Sequence, residues 1–199
     1  MSCKLGAISA AFWMFVTTTV ADAHLVIENM KGRANYNEFL SLMVPHGCGN
    51  LATTEIRMQI PESVVLFSPE QKGGWETELV MRKLDEPVTR PNGAVISEVY
   101  DYVVWRGNLP ANQLGVFKFL ARIPGKVGSV VPFRTIQTCG EQVDRWIDVV
   151  EDGEPAWKMW TNSMTAPFVE VVAPDGPQLG ATPDMLRAER AKRGSVDVQ

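Results

Sequence analysis

His24 and His46 are the only imidazoles in the 199-residue chain. His24 carries the sharper chemistry because of what precedes it. Lys4 is followed by an uncharged run from Leu5 to Val20, and then by Ala21-Asp22-Ala23. Charged, apolar and small-x-small in that order is the pattern of an export signal. The expectation is that residues 1–23 are a signal peptide and that cleavage after Ala23 makes His24 the first residue. A first-position histidine offers its α-amine and its imidazole Nδ1 to one metal ion, closing a six-membered chelate ring. Two nitrogen donors suit Cu(II), and copper heads the divalent affinity order. The amine titrates near ~8, so giving its proton up to a metal near neutral pH costs little. The competing reading keeps the uncharged run as a membrane anchor. At about 16 residues it is short of the ~20 that span a bilayer, and no later run approaches that length.

The other candidate groups are few. His46 is either a second copper ligand, making a two-histidine brace, or a hydrogen-bonded histidine packed beside a disulfide. Glu28 lies four residues beyond His24. On a strand the two share a face but sit about 13 Å apart, which makes Glu28 a weak ligand candidate. Of the cysteines Cys3, Cys48 and Cys139, the first leaves with the signal peptide. The remaining pair is expected to form a Cys48–Cys139 disulfide in an oxidising compartment. It would close a loop of about 90 residues, for which chain entropy gives roughly 4–5 kcal/mol. The alternative is a copper or zinc site built on His46 and Cys48. Met159 and Met164 could hold Cu(I) through their thioethers, but two methionines fall far short of a Met-rich motif.

These groups need a scaffold, and the chain reads as all-β. Short β-rich runs recur: Leu25–Ile27, Glu38–Val44, Thr53–Ile60, Val64–Phe67, Trp75–Leu84, Ile96–Trp105, Gly115–Ile123, Val130–Thr138, Arg145–Val150 and Phe168–Ala173. Turn signals separate them, among them Lys72-Gly73-Gly74, Arg90-Pro91-Asn92-Gly93, Arg106-Gly107-Asn108 and Pro124-Gly125. This spacing predicts a single β-sandwich over residues 24–174. A polar tail follows over 175–199, able to cap a short helix from Asp184 to Lys192. Trp157 and Trp160 read as cover for an edge of the sandwich.

Composition narrows the function. With 19 Lys+Arg against 23 Asp+Glu, a net charge of -4 offers no basic footprint, so neither nucleic acid nor an anionic membrane surface is expected as a partner. The chain has no Gly-x-Ser-x-Gly, phosphate loop, His-Glu-x-x-His or dinucleotide fingerprint. An enzyme is not expected.

Six motifs, in order, resemble a known family. They are His24-Leu-Val-Ile-Glu-Asn, Val44-Pro-His-Gly-Cys-Gly, Ala52-Thr-Thr-Glu-Ile-Arg-Met-Gln-Ile-Pro-Glu, Lys72-Gly-Gly-Trp75, Val104-Trp105-Arg-Gly-Asn-Leu-Pro, and Gln137-Thr-Cys139 with Trp146. Together they look like the YcnI-like copper-binding domain, DUF1775, over about residues 24 to 155. The resemblance implies an extracytoplasmic β-sandwich of cupredoxin- or immunoglobulin-like outline. It implies Cu(II) held by the amine and imidazole of His24, a carboxylate completing the site, and a tryptophan close by. The carboxylate falls on Glu70, shortly before the Gly-Trp motif, although this chain has Gly73 where many relatives have proline. The tryptophan falls on Trp146, with Trp75 as the fallback. The reading is therefore a copper buffer or carrier in the periplasm or another extracytoplasmic space, soluble once the signal is cut. Its partners would be copper and another periplasmic or membrane copper-handling protein. A two-histidine copper oxidase using His24 and His46, and a metal-free interaction sandwich, are the alternatives.

Overall fold

The computed structural model describes residues 24–89, 93–175 and 187. The signal-peptide reading and all but Arg187 of the helix expected over Asp184–Lys192 lie outside these residues.

The first sheet has four strands. β1 (Val26–Ile27) lies beside β3 (Asn37–Val44), β3 beside β8 (Gly115–Arg122), and β8 beside β5 (Phe67–Pro69). The second has five: β11 (Gln142–Trp146), β10 (Thr135–Cys139), β4 (Thr53–Gln59), β7 (Val95–Leu109) and β6 (Glu76–Thr89), in that order. A third, small sheet sets β12 (Phe168–Val172) between β2 (Lys31–Arg33) and β9 (Val130–Pro132).

Period-two alternation builds the core. Leu40, Leu42 and Val44 of β3 point inward, as do Phe117, Phe119 and Ala121 of β8, and Ile56 and Met58 of β4. The β3–β8 register pairs Leu40 with Phe119 and Leu42 with Phe117, so apolar side chains meet on one face across the ladder. Val103 and Trp105 of β7 and Trp146 of β11 join the same cluster.

Four expectations are corrected. The run Arg145–Val150 is strand only at its start, because β11 spans Gln142–Trp146 and Asp148 makes only an isolated bridge to Thr165. The run Val130–Thr138 is two strands in two sheets, broken at Phe133-Arg134. Phe133 is buried and Pro132 has no N–H for a ladder, so the chain changes sheet there. Val64–Leu66 is not strand; only Phe67–Pro69 pairs with β8. Arg106-Gly107-Asn108 is no turn but lies inside β7. Gly107 is required there because a Cβ would come within 2.4 Å of the Trp75 ring. Two elements have no counterpart in the sequence reading: β2 and a 3-10 helix, Ala156–Thr161.

Cys48 and Cys139 form the expected disulfide, with Cα atoms 5.9 Å apart and a sequence separation of 91. It ties the loop after β3, in the first sheet, to the end of β10, in the second. Among the described residues no helix is long and apolar enough to cross a membrane.

Two stability outcomes follow. Replacing both cysteines, Cys48→Ser with Cys139→Ser, is expected to lower the free energy of unfolding by about 4–5 kcal/mol, read by urea denaturation. Gly107→Ala is expected to cost about 1–3 kcal/mol by forcing the Trp75 ring off its seat; an unchanged midpoint would contradict that packing.

Candidate metal centre at His24

His24 sits at the mouth of β1, half-buried, and its ring is enclosed by two indoles. The Trp146 ring lies 5.6 Å away at 61°, and the Trp160 ring 6.0 Å away at 86°. Both are edge-on contacts. His24 Nε2 is buried and has no hydrogen-bond partner. A buried nitrogen left in this state costs free energy, a cost that Asn37 Oδ1, Thr77 Oγ1, Trp105 Nε1 and Asn162 Nδ2 also carry among the described residues.

The two walls come from different parts of the chain. Trp146 ends β11 and is 2% exposed. Its indole N–H donates to Gln137 Oε1 at 3.1 Å. Gln137, buried in the middle of β10, donates through Nε2 to the His46 carbonyl at 2.8 Å and to Thr53 Oγ1 at 2.7 Å. Thr53 Oγ1 in turn lies 3.7 Å from Cys139 Sγ, and the Cys48 N–H donates to the same sulfur at 3.1 Å. Trp160 belongs to the 3-10 helix and is 43% exposed. It rests on Phe168 of β12 at 5.4 Å. The helix is held by Met159, buried beneath it, and by Thr165 Oγ1, which donates to the carbonyls of Met159 at 2.6 Å and Asn162 at 2.9 Å. Residues just past Trp146 are stitched to the same segment: the Asp148 N–H donates to the Met164 carbonyl at 3.0 Å, and the Ala166 N–H to the Asp148 carbonyl at 2.9 Å. That stitch brings Trp160 onto the His24 ring.

The remaining candidates lie as follows. The start of β1 and the end of β3 share one end of the sheet, so His24 and His46 come from neighbouring strand ends. His46 Nδ1 faces the Gly47 carbonyl at 2.6 Å, and its own carbonyl belongs to the Gln137 node. Gly47 admits no side chain, because a Cβ would meet the Leu51 carbonyl oxygen at 1.9 Å. Trp75 is a packing residue: its ring stands edge-on to Phe117 at 4.9 Å and 90°. Met159 is fully buried under the 3-10 helix, and Met164 packs against the main core.

Glu28 and Glu70 are not brought to His24. The Glu28 N–H donates to Ser41, Ser41 pairs with Lys118, and the Glu70 N–H donates to Lys118. The two acids therefore lie on one cross-strand row at opposite edges of the sheet. That row is about 13 Å along β1 from His24, and Glu70 is roughly another 14 Å away across three strand spacings. Glu70 Oε2 sits 4.0 Å from Lys118 Nζ at the surface. Nearness in sequence to the Gly-Trp motif does not decide its position; the β5–β8 register does. Among the described residues no three His, Cys, Asp or Glu side chains gather into a metal-binding group.

Sequence reasoning missed Gln137 and Trp160. Gln137 had a signal. The alternation of Thr135, Gln137 and Cys139 puts an amide on the buried face, where it must find partners. Trp160 had none, since its contacts with His24 and Phe168 are long-range. Replacing Trp146 by Phe leaves Gln137 Oε1 without its donor and is expected to cost about 1–3 kcal/mol in urea unfolding. Trp160→Phe strands no buried group and is expected to cost less than Trp146→Phe in the same measurement.

The fold has a solved counterpart. An uncharacterised protein from Nocardia farcinica with an immunoglobulin-like fold superposes with a TM-score of 0.54 at 16% identity, over 75% of this chain and 99% of that one. That likeness concerns the fold alone. No curated protein matches the sequence. The model of the family DUF1775, described as a domain of unknown function, matches residues 24–165. The match begins on His24 and runs through the disulfide, Trp146 and Trp160, and the chain belongs to the DUF1775 family.

Proposed function

We propose that the protein is an exported copper-binding protein, and not an enzyme. It holds Cu(II) through the α-amine and Nδ1 of His24 once residues 1–23 are removed. The observation that carries this reading is the seat of the His24 ring. Nε2 is the buried nitrogen, shut in beside two indoles with nothing to bond. Nδ1 is then the nitrogen left for a metal arriving from solvent, and it is the one that closes a chelate with the amine. The donor set fits Cu(II) chemically. Bound copper would supply a cargo to be buffered or passed on. His24 binds it, while Trp146 and Trp160 shield the far side of the imidazole from water. Glu70 lies too far to complete this site. The motifs shared with YcnI-like domains support the same reading. The buried disulfide supports an oxidising, extracytoplasmic location. The partner would be another copper-handling protein of the periplasm or membrane.

The test is Cu(II) titration of protein that begins at His24, beside a control with one extra residue before it. The native form is expected to bind one copper and quench tryptophan fluorescence, and the extended form to bind at least about tenfold more weakly. His46→Ala and Glu70→Gln are expected to leave affinity within about twofold, far under the tenfold that 1.4 kcal/mol would give. Equal binding by native and extended forms would remove the amine from the ligand set. A collapse in His46→Ala would instead favour the two-histidine brace.

A further inference from the structure

The Gln137 amide is a buried node with one direction of donation. An indole N–H can only donate, so the Gln137 atom that meets Trp146 at 3.1 Å is the oxygen. The amide nitrogen then faces two acceptors, the His46 carbonyl at 2.8 Å and Thr53 Oγ1 at 2.7 Å, and spends both of its hydrogens on them. Thr53 Oγ1 accepts from Gln137, which leaves its own proton to point at Cys139 Sγ, 3.7 Å away. Thr53, Gln137, Cys139 and Trp146 are all buried. The line runs from the disulfide through Thr53 and Gln137 to the indole that walls His24.

We propose that Gln137 is the positioning residue of the His24 site. It never touches His24. It fixes the rotation of the Trp146 indole about its own bond, and that indole fixes the imidazole. The physical reason is the penalty for the alternative. Any other Trp146 rotamer leaves a buried N–H and a buried amide oxygen unpaired together. The His46 carbonyl and Thr53 hold the amide from behind, and Cys139 holds Thr53, so the node is anchored at a covalent end. A methionine at 137 would fill similar space and offer nothing to the indole, the carbonyl or the hydroxyl.

The inference deepens the copper reading, but its first test needs no metal. In copper-free protein beginning at His24, nuclear magnetic resonance of the labelled imidazole reads the ring-current shift that the two indoles impose on it. In Gln137→Met those signals are expected to move at least halfway toward the values of an unstructured histidine. In Trp157→Ala, a 64% exposed indole with no ring contact to His24, they are expected to stay. Unmoved His24 signals in a folded Gln137→Met protein would overturn the proposal. Should that variant not fold, the unaltered protein decides. The Trp146 indole proton is expected to exchange with solvent far more slowly than that of Trp157, and equal rates would overturn the proposal. Cu(II) titration is the last arm. Gln137→Met is expected to bind about tenfold or more weakly, the usual effect of losing a ligand's supporting partner. Equal affinity in the two proteins would overturn the claim that this positioning serves the site. If neither protein binds copper, the copper reading fails, and the metal-free arms still decide the role of Gln137.

Discussion

His24 and Trp146 belong to different sheets, and the site exists only where those sheets are held in register with each other. His24 leads into β1 of the first sheet, and Trp146 closes β11 of the second. Sheet-on-sheet packing through apolar side chains sets a separation but specifies position weakly, because the hydrophobic effect has no direction. Direction comes from the Cys48–Cys139 bond and the hydrogen-bond node beside it. The disulfide ties the loop after β3 to the end of β10, and Gln137 ties the same loop, through the His46 carbonyl, to Trp146. Covalent and polar links converge within a few residues of the place where the imidazole must sit.

That placement gives the histidine an unusual surrounding. One face of the domain offers it a buried indole and the small third sheet offers another, through Phe168 and the 3-10 helix. Neither gives Nε2 a partner. For packing alone a phenylalanine would serve there, without the cost of an unpaired nitrogen. The nitrogen is explained if the other side of the ring has work that only an imidazole can do, and chelation with the chain's own amine is work of that kind. It asks the fold for one side chain and one backbone nitrogen.

Much of the sandwich was legible in the residues. Thr53–Gln59 alternates cleanly, so Ile56 and Met58 declared the inner face of β4, and Cys48 and Cys139, the two cysteines expected to remain once a leader is removed, implied their own pairing. Where the reading failed, long-range pairing had overruled local pattern. Lys31-Gly32-Arg33 looks like a connection, yet it is a strand because β12, far along the chain, runs parallel to it. Arg106-Gly107-Asn108 looks like a turn, yet its glycine makes room for an indole. At the site, His24 was singled out by the cleavage expected before it, and Trp146 only through the family resemblance. Glu70 was placed by nearness to a motif, while its true position follows from a strand register that no local pattern encodes. Gln137 was written in the strand alternation, as an amide facing a core.

The central claim is that one imidazole and the chain's own amine hold the copper. Pulsed electron paramagnetic resonance on the Cu(II) complex of protein beginning at His24 addresses it most directly, because the distal nitrogen of each bound imidazole gives its own modulation. The account predicts modulation from a single imidazole, unchanged in His46→Ala and absent in His24→Ala. Modulation from two imidazoles, or a signal that survives the loss of His24, would contradict it.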